Sequence, residues 1–344
     1  MTSPSRRSAA TISDVARLAG VSAMTVSRVT NGEGNVRPGT RHAVEAAITA
    51  LSYAPNAAAR KLAGARQLRV GLLYSNPSAA YLSEFLVGSL DQASRRDVRL
   101  IVEKCELGDH ELEVARHLIA GGIDGIILPS PLCDSADLIA MLVEKGVPAV
   151  LVGSGKPSEA LFAVSIDETA AAYAMTRHIL ALGHRRIGFV IGNPAQSASP
   201  DRLDGYRAAL RDARVPADEG LIAQGLFTYR SGLAAAERLL DHDNPPTAIF
   251  ASNDDMAAAA VAVAHRRGLD VPGDLTVCGF DDTTLATAIW PELTTIHQPI
   301  ADMSRAAVEM LVGQARRGQE TVAERHQLLA FTLVRRQSEA PPRE

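Results

Sequence analysis

The chain has 344 residues, 47% of them hydrophobic, and a formal net charge of −4, a length that suits two or three compact domains rather than one. It contains no apolar run long enough to span a membrane, and the opening MTSPSRRSAA lacks the apolar stretch of an export signal. Three scattered cysteines, Cys105, Cys133 and Cys278, form no CxxC pair and read as reduced thiols of a cytoplasmic protein.

Charge is uneven along the chain. Residues 1–66 carry nine Lys/Arg against three acids, a net of +6, which leaves −10 for the rest. A basic head on an acidic body suits a polyanionic partner for the head alone. Within that head, Thr11 to Val29 has the spacing of a helix–turn–helix. Ala16 is small where a second helix must cross, and Gly20 can take the positive φ of a tight turn. Ser22 is a good N-cap. Val21, Val26 and Val29 fall on the inner face of the second helix, leaving Ala23, Met24, Ser27 and Arg28 facing outward. An ordinary αα-hairpin shares much of this spacing. A third amphipathic helix is expected from Thr40 to Ser52, burying Val44, Ala47, Ile48 and Leu51. The alanine-rich stretch about 56–63, capped by Asn56, is too short to be a stable helix alone in water.

The stretch DVARLAGVSAMTVSRVTNG…VRPGTRHAVEAAITALSYAPNAAARKLA resembles the lactose-repressor (LacI/GalR) family of bacterial regulators. The likeness continues through LGHRRIGFV, RLDGYRAAL, PTAIFASNDDMA, VCGFDDT and PELTTIHQP, nearly the whole chain. The resemblance implies that Ala23 and Met24 are the base-reading pair, with Ser27 and Arg28 on the same face. Two apolar reading residues could feel thymine methyls, and Arg28 is the candidate for a guanine contact. It implies further that Thr11, Ser22, Thr25, Asn31, Thr40, Tyr53, Asn56 and Ala59 lie along the DNA, most of them on phosphates. Leu62 matches the wedge of a hinge helix that kinks the operator through the minor groove. Arg37 departs from the family pattern, in which a serine precedes the third helix, and would exchange a hydroxyl–phosphate bond for a charged one.

Beyond Gly64 the pattern changes to alternating strands and helices. Apolar runs at 69–73, 98–102, 125–128 and 147–152 are followed by a second series at 187–191, 223–226, 248–250 and 275–280. Two such series predict two parallel doubly wound sheets. Ligands of such sheets bind beyond the carboxyl ends of the strands, where this chain places Tyr74-Ser75-Asn76, Ser154, Asn193, Asn253-Asp254-Asp255 and Asp281-Asp282. The resemblance implies a two-lobed, periplasmic-binding-protein-like body with crossings near 165–168, 297–299 and 325–328, and effector contacts from Tyr81, Leu82, Arg202, Phe227, Asn253, Asp281 and Gln298. Asn and Asp after a strand can equally be helix caps, and Tyr81 and Phe227 core aromatics.

The expected organisation is therefore an all-α helix–turn–helix head with its hinge helix at 1–63, a linker at 64–68, an effector-binding and dimerisation body at 69–339, and a tail at 340–344. The N-lobe would comprise about 69–166 and 299–326, and the C-lobe about 167–297 and 327–339. No enzyme motif stands out. Gly153-Ser-Gly-Lys156 lacks the first P-loop glycine, since residue 150 is Val, and Pro157 replaces the Ser/Thr. There is no GxSxG, and His110 and His117 stand seven apart, wrong for a helical metal pair, so neither metal nor cofactor is expected. The resemblance implies a repressor of carbohydrate-utilisation genes, bound as a homodimer to a near-palindromic operator and controlled by a small-molecule effector. Arg202 is the one obvious cation of the matched site against Asp254 and Asp281, which favours a neutral sugar effector. A purine effector, an activator role, or a sugar receptor without DNA function are the alternatives. The tail RRQSEAPPRE has no leucine heptad, which favours a dimer over a tetramer.

Overall fold

The computed structural model describes residues 10–30, 36–51, 67–106, 108, 110–153, 160–317 and 325–343. They divide into two units, Met1–Gln67 and Leu68–Glu344. Asn31, Tyr53, Asn56, Ala59 and Leu62, with the whole expected hinge helix, lie outside the described residues.

The first unit is a three-helix cluster, α1 (Ile12–Ala19), α2 (Ala23–Thr30) and α3 (Pro38–Ala50). Its core is Val15, Ala16, Val26, Val29, Val44 and Ala47, with Ile48 and Leu51 packed at the margin. Thr11 and Asp14 close a reciprocal capping box on α1. Gly20 ends that helix at φ 65, the left-handed geometry the sharp turn requires.

The second unit has two parallel sheets and a small ribbon. Strands β1 (Leu68–Tyr74), β2 (Val98–Lys104), β3 (Gly125–Pro129), β4 (Ala149–Val152), β5 (Phe162–Ser165) and β11 (His326–Leu328) form the first, in the order β11-β5-β4-β3-β1-β2. Strands β6 (Ile187–Ile191), β7 (Ile222–Gln224), β8 (Ala248–Ala251) and β9 (Thr276–Cys278) form the second, in the order β7-β6-β8-β9. All pairings within these two sheets are parallel. β10 (Thr295–His297) and β12 (Thr332–Val334) make an antiparallel ribbon beside them. The doubly wound two-lobed body expected from the apolar runs is thus present, and β3, β4 and β8 are buried throughout, as strands covered on both faces must be.

The crossovers supply α4 (Ala79–Arg96), α5 (Glu111–Ala120), α6 (Ala136–Glu144), α7 (Glu168–Ala181), α8 (Ala198–Asp212), α9 (Tyr229–Leu240), α10 (Asp254–Arg266), α11 (Thr284–Ala288) and α12 (Ile300–Arg317). The chain passes between lobes after β5 and after β10. The third passage falls at 329–331, later than the 325–328 anticipated, because β11 pairs with β5 before leaving the first sheet. A three-residue, largely solvent-facing strand carries too little apolar pattern to announce its partner.

The segment that follows β12 is docked as far as Ala340. Ser338 is fully buried, donating from Oγ to the Val277 carbonyl at 2.5 Å and accepting from the Thr294 amide at 2.8 Å. His184 links this segment to the second sheet: Nε2 donates to the Ala340 carbonyl at 2.8 Å while Nδ1 meets Thr247 Oγ1 at 2.8 Å. His184 in LGHRR therefore has a structural role.

Candidate functional site

Two regions carry recognisable chemistry, one in each unit. On the head, Ser22 caps α2 by accepting from the Thr25 amide at 3.2 Å. Ala23, Met24 and Arg28 are exposed along the same helix, Met24 to 67%. Ser27, Thr25 and Thr40 are half-buried. Arg37 occupies the N-cap of α3 with no side-chain capping bond, and Pro38 opens the first turn instead. An exposed methionine on an otherwise well-packed three-helix unit has no internal structural purpose.

In the body, a cleft of about 440 Å³, partly open to solvent, lies at the carboxyl ends of the strands. Tyr81, Arg202, Phe227, Asn253, Asp281 and Gln298 all line it. Leu82 does not. It follows Tyr81 on α4, and one residue turns a helical side chain by about 100°. The lining also includes Asn76, Ser78, Ser130, Gly153, Glu168 and Gln196, none of them among the expected effector contacts. Asn76 and Glu168 stood in segments flagged as a strand end and a lobe crossing. Ser130 and Gln196 sit on loops with no local signal.

The centre of the cleft is a buried ion cluster. α7 and α8 pack so closely that a Cβ on Gly205 would stand 2.2 Å from the Thr169 carbonyl, and Thr169 Oγ1 donates to the Asp201 carbonyl at 3.1 Å. This approach sets Glu168, the first residue of α7, against Arg202, one turn into α8. Arg202 Nε donates to Glu168 Oε2 at 2.8 Å and Nη1 donates to the Ser252 carbonyl. Its guanidinium carbon lies 3.6 Å from the centre of the Phe280 ring. The arginine fork, expected to be offered to an effector, is therefore largely engaged by the protein. Only Nη2 remains on the side of Asp281, whose Oδ1 is 3.9 Å away. Gln298 Nε2 donates to the same Oδ1 at 3.2 Å. Burial pushes the Asp281 carboxyl well above the usual carboxylate range, with Arg202 pulling the other way.

Asn253 lines the cleft, but its polar atoms serve the fold. Oδ1 accepts from the Met256 amide as the cap of α10 and Nδ2 donates to the Phe227 carbonyl at 3.1 Å. Phe227 itself has φ 59, and its ring is seated on Gly192, where a Cβ would come within 2.0 Å. Asp281, at φ 107, is a second lining residue in the left-handed region. Such strain persists only where surrounding contacts fix it, and it gathers at ligand sites. Across the lip, Ser78 Oγ donates to Asp255 Oδ2 at 2.6 Å, Ser130 Oγ to Gln196 Oε1 at 3.0 Å, and the Ser197 amide to Asp134 Oδ2 at 3.0 Å. These bonds join the two lobes.

Asp254 lies behind the cleft, fully buried, accepting from the Thr283 amide and hydroxyl and from Thr295 Oγ1 at 2.8–3.1 Å. It does not face the cavity, so its expected part in repelling phosphate falls away. Burial pushes its carboxyl up to about 7, against the Thr295 and Thr283 bonds. A folded-state value raised above the unfolded one means stability is fully present below about pH 4 and is lost as pH rises through about 7. Asp254→Asn is expected to flatten the fall in unfolding midpoint between about pH 4 and 7. A slope matching the parent would exclude Asp254 as its source.

Comparison with known proteins fits both regions. Residues 11–56 match the model for bacterial regulatory proteins of the lacI family, and residues 176–339 that for a periplasmic binding protein-like domain. The catabolite control protein A of Priestia megaterium is 37% identical over 303 residues, covering 88% of this chain and 91% of its own. The chain belongs to the lacI family of bacterial regulatory proteins. A solved complex of the transcriptional regulator CelR with cellobiose is 35% identical, with a TM-score of 0.73 over 96% of this chain and 99% of its own. The Lac repressor dimer bound to operator and an anti-inducer is 29% identical, with a TM-score of 0.70 over 97% and 100%. This family member is thus a DNA-binding transcriptional regulator and not an enzyme. Among the described residues no helix is long and apolar enough to cross a membrane, and no cluster of three metal-ligating side chains occurs.

Proposed function

We propose that this regulator is a cytoplasmic repressor of carbohydrate-utilisation genes, held on a near-palindromic operator as a homodimer and controlled by a neutral sugar in the cleft. The observation that carries the effector reading is the gap between Arg202 Nη2 and Asp281 Oδ1. At 3.9 Å it is too long for a direct hydrogen bond. A hydroxyl placed there accepts from the guanidinium and can donate to or accept from the Asp281 carboxyl, whereas a fully ionised phosphate has no proton to give. The Ser78 and Ser130 hydroxyl oxygens can still accept, and Phe227 offers an apolar face for a sugar ring. The cellobiose complex of CelR supports this choice of ligand class.

Dimerisation is supported by apolar side chains left exposed on the body: Val87 and Leu90 on α4, Val102 on β2, and Leu226, Tyr229 and Trp290 in the second lobe. On the head, Met24 and Ala23 would read thymine methyls and Arg28 a guanine, with Leu62 as the hinge wedge. The sugar would favour one lobe arrangement and so alter the spacing of the two hinges, by no more than its difference in affinity for the two.

Selection of duplexes from a random pool should enrich a palindrome, and thermal unfolding against neutral sugars, sugar phosphates and purines should single out one neutral sugar. A ligand that binds only the folded protein stabilises it by about 2.7 kcal/mol at a hundred times its dissociation constant. That sugar should also change retention of the selected duplex. Response to purines or sugar phosphates alone would overturn the sugar reading, and enrichment of no sequence would overturn the operator reading.

A further inference from the structure

We propose that Glu168 is a specificity-determining residue which, by pairing with Arg202, keeps anionic effectors out of the cleft. The inference rests on the reading of this cleft as the effector site. Among the described lining residues Arg202 is the single cation, and it faces two carboxylates, Glu168 and Asp281. An anion entering the cleft must shed its water, and a bidentate arginine is the group that compensates for that loss. Here one end of the fork is closed off. Nε is committed to Glu168 at 2.8 Å and Nη1 to the Ser252 carbonyl, with both partners of the Glu168 pair only 4–5% exposed. The planar group is also clamped over Phe280, so it cannot swing to present a new edge. What remains is Nη2 beside the Asp281 carboxyl, an edge suited to a hydroxyl.

Glu168 thus acts through Arg202: it fixes the guanidinium and removes its net charge from the cleft. Glutamine at this position keeps an acceptor for Nε and leaves the cleft one unit more positive. Unit-charge changes at this range, in a partly screened interior, alter anion affinity by roughly tenfold or more.

The test uses inorganic phosphate as the probe and the full-length protein at constant ionic strength, read by thermal unfolding and titration calorimetry. Phosphate should bind Glu168→Gln at least roughly tenfold more tightly than the parent, while Glu168→Asp, which retains the charge, behaves as the parent. Adding Arg202→Met to Glu168→Gln should abolish the gain, tying it to the cleft. If Glu168→Gln does not fold, Glu168→Ala carries the same expectation. Equal phosphate binding by parent and variant, or binding by neither, would overturn the role of Glu168. Both results leave the regulator intact, because a response of the parent to a neutral sugar is measured separately and stands or falls without phosphate.

Discussion

Replacing Arg202 with methionine is expected to destabilise the body by about 3–5 kcal/mol, the cost of stranding a buried charge whose partner has been removed. The substitution leaves Glu168 and Asp281 facing one another without their shared cation, each almost fully buried. Methionine fills much of the space above Phe280, so the loss is chiefly electrostatic. Two features separate this from ordinary loss of packing. The deficit should shrink on acidification, since protonation of the stranded carboxylates relieves the repulsion. The double variant Arg202→Met, Glu168→Gln should also recover a large part of it, giving a coupling energy far from zero. Urea unfolding of the four proteins at two pH values provides the measurement. Additive losses, unchanged by pH, would mean that the cluster contributes through shape alone.

The second large effect is expected from removing residues 335–344. These residues close one side of the second lobe through backbone as well as side chains. The Val277 amide donates to the Ser338 carbonyl at 2.9 Å, and the Ala340 amide donates to Thr276 Oγ1 at 3.0 Å. Arg336 adds a bond to Asp282 at 2.5 Å, next to the cleft residue Asp281. Truncation would orphan the Val277 amide and carbonyl, the Thr294 amide and His184 Nε2. Each such buried group costs about 1–3 kcal/mol, against a total stability of about 5–15 kcal/mol for a domain. The truncated chain should therefore fail to give a cooperative transition for the body at ambient temperature. Ser338→Ala, which keeps the backbone bonds, should cost about 1–3 kcal/mol and still unfold cooperatively. A truncated protein with the parent's midpoint would show that the segment is dispensable.

Arg336 and Asp282 give the same segment a route to the ligand site. Asp282 also meets His297 Nδ1 at 3.1 Å, one residue before Gln298. The docked segment, one lobe crossing and the Asp281–Gln298 side of the cleft therefore form one connected polar group. Disturbing the segment mildly, as in Ser338→Ala, offers a way to ask whether ligand response follows the integrity of that group.

The sequence alone determined the elements and the class of protein. Gly20 and the buried valines at 15, 26, 29 and 44 encode a helix–turn–helix through local conformation and helical period, which need no distant partner. The two series of apolar strands encode two doubly wound sheets for the same reason, and with them the end of each sheet where a ligand binds. Short, polar or edge elements were not legible. β5 and β11 span four and three residues, and no local pattern says that 326–328 belongs to the first sheet rather than the second.

Tertiary structure decided what the site residues can do. Asn253 was legible as a residue after a strand, but only the fold shows that capping α10 and holding Phe227 use both ends of its amide. Asp254 is turned toward Thr283 and Thr295 and away from the cavity. Arg202 looks like a free fork in the sequence and is a clamped one in the structure, because Glu168, 34 positions earlier, reaches it only when α7 and α8 close over Gly205. Sequence spacing reports neighbours along one element, where geometry is periodic. Charge balance in a cleft depends on which side chains from separate elements converge, and packing alone sets that.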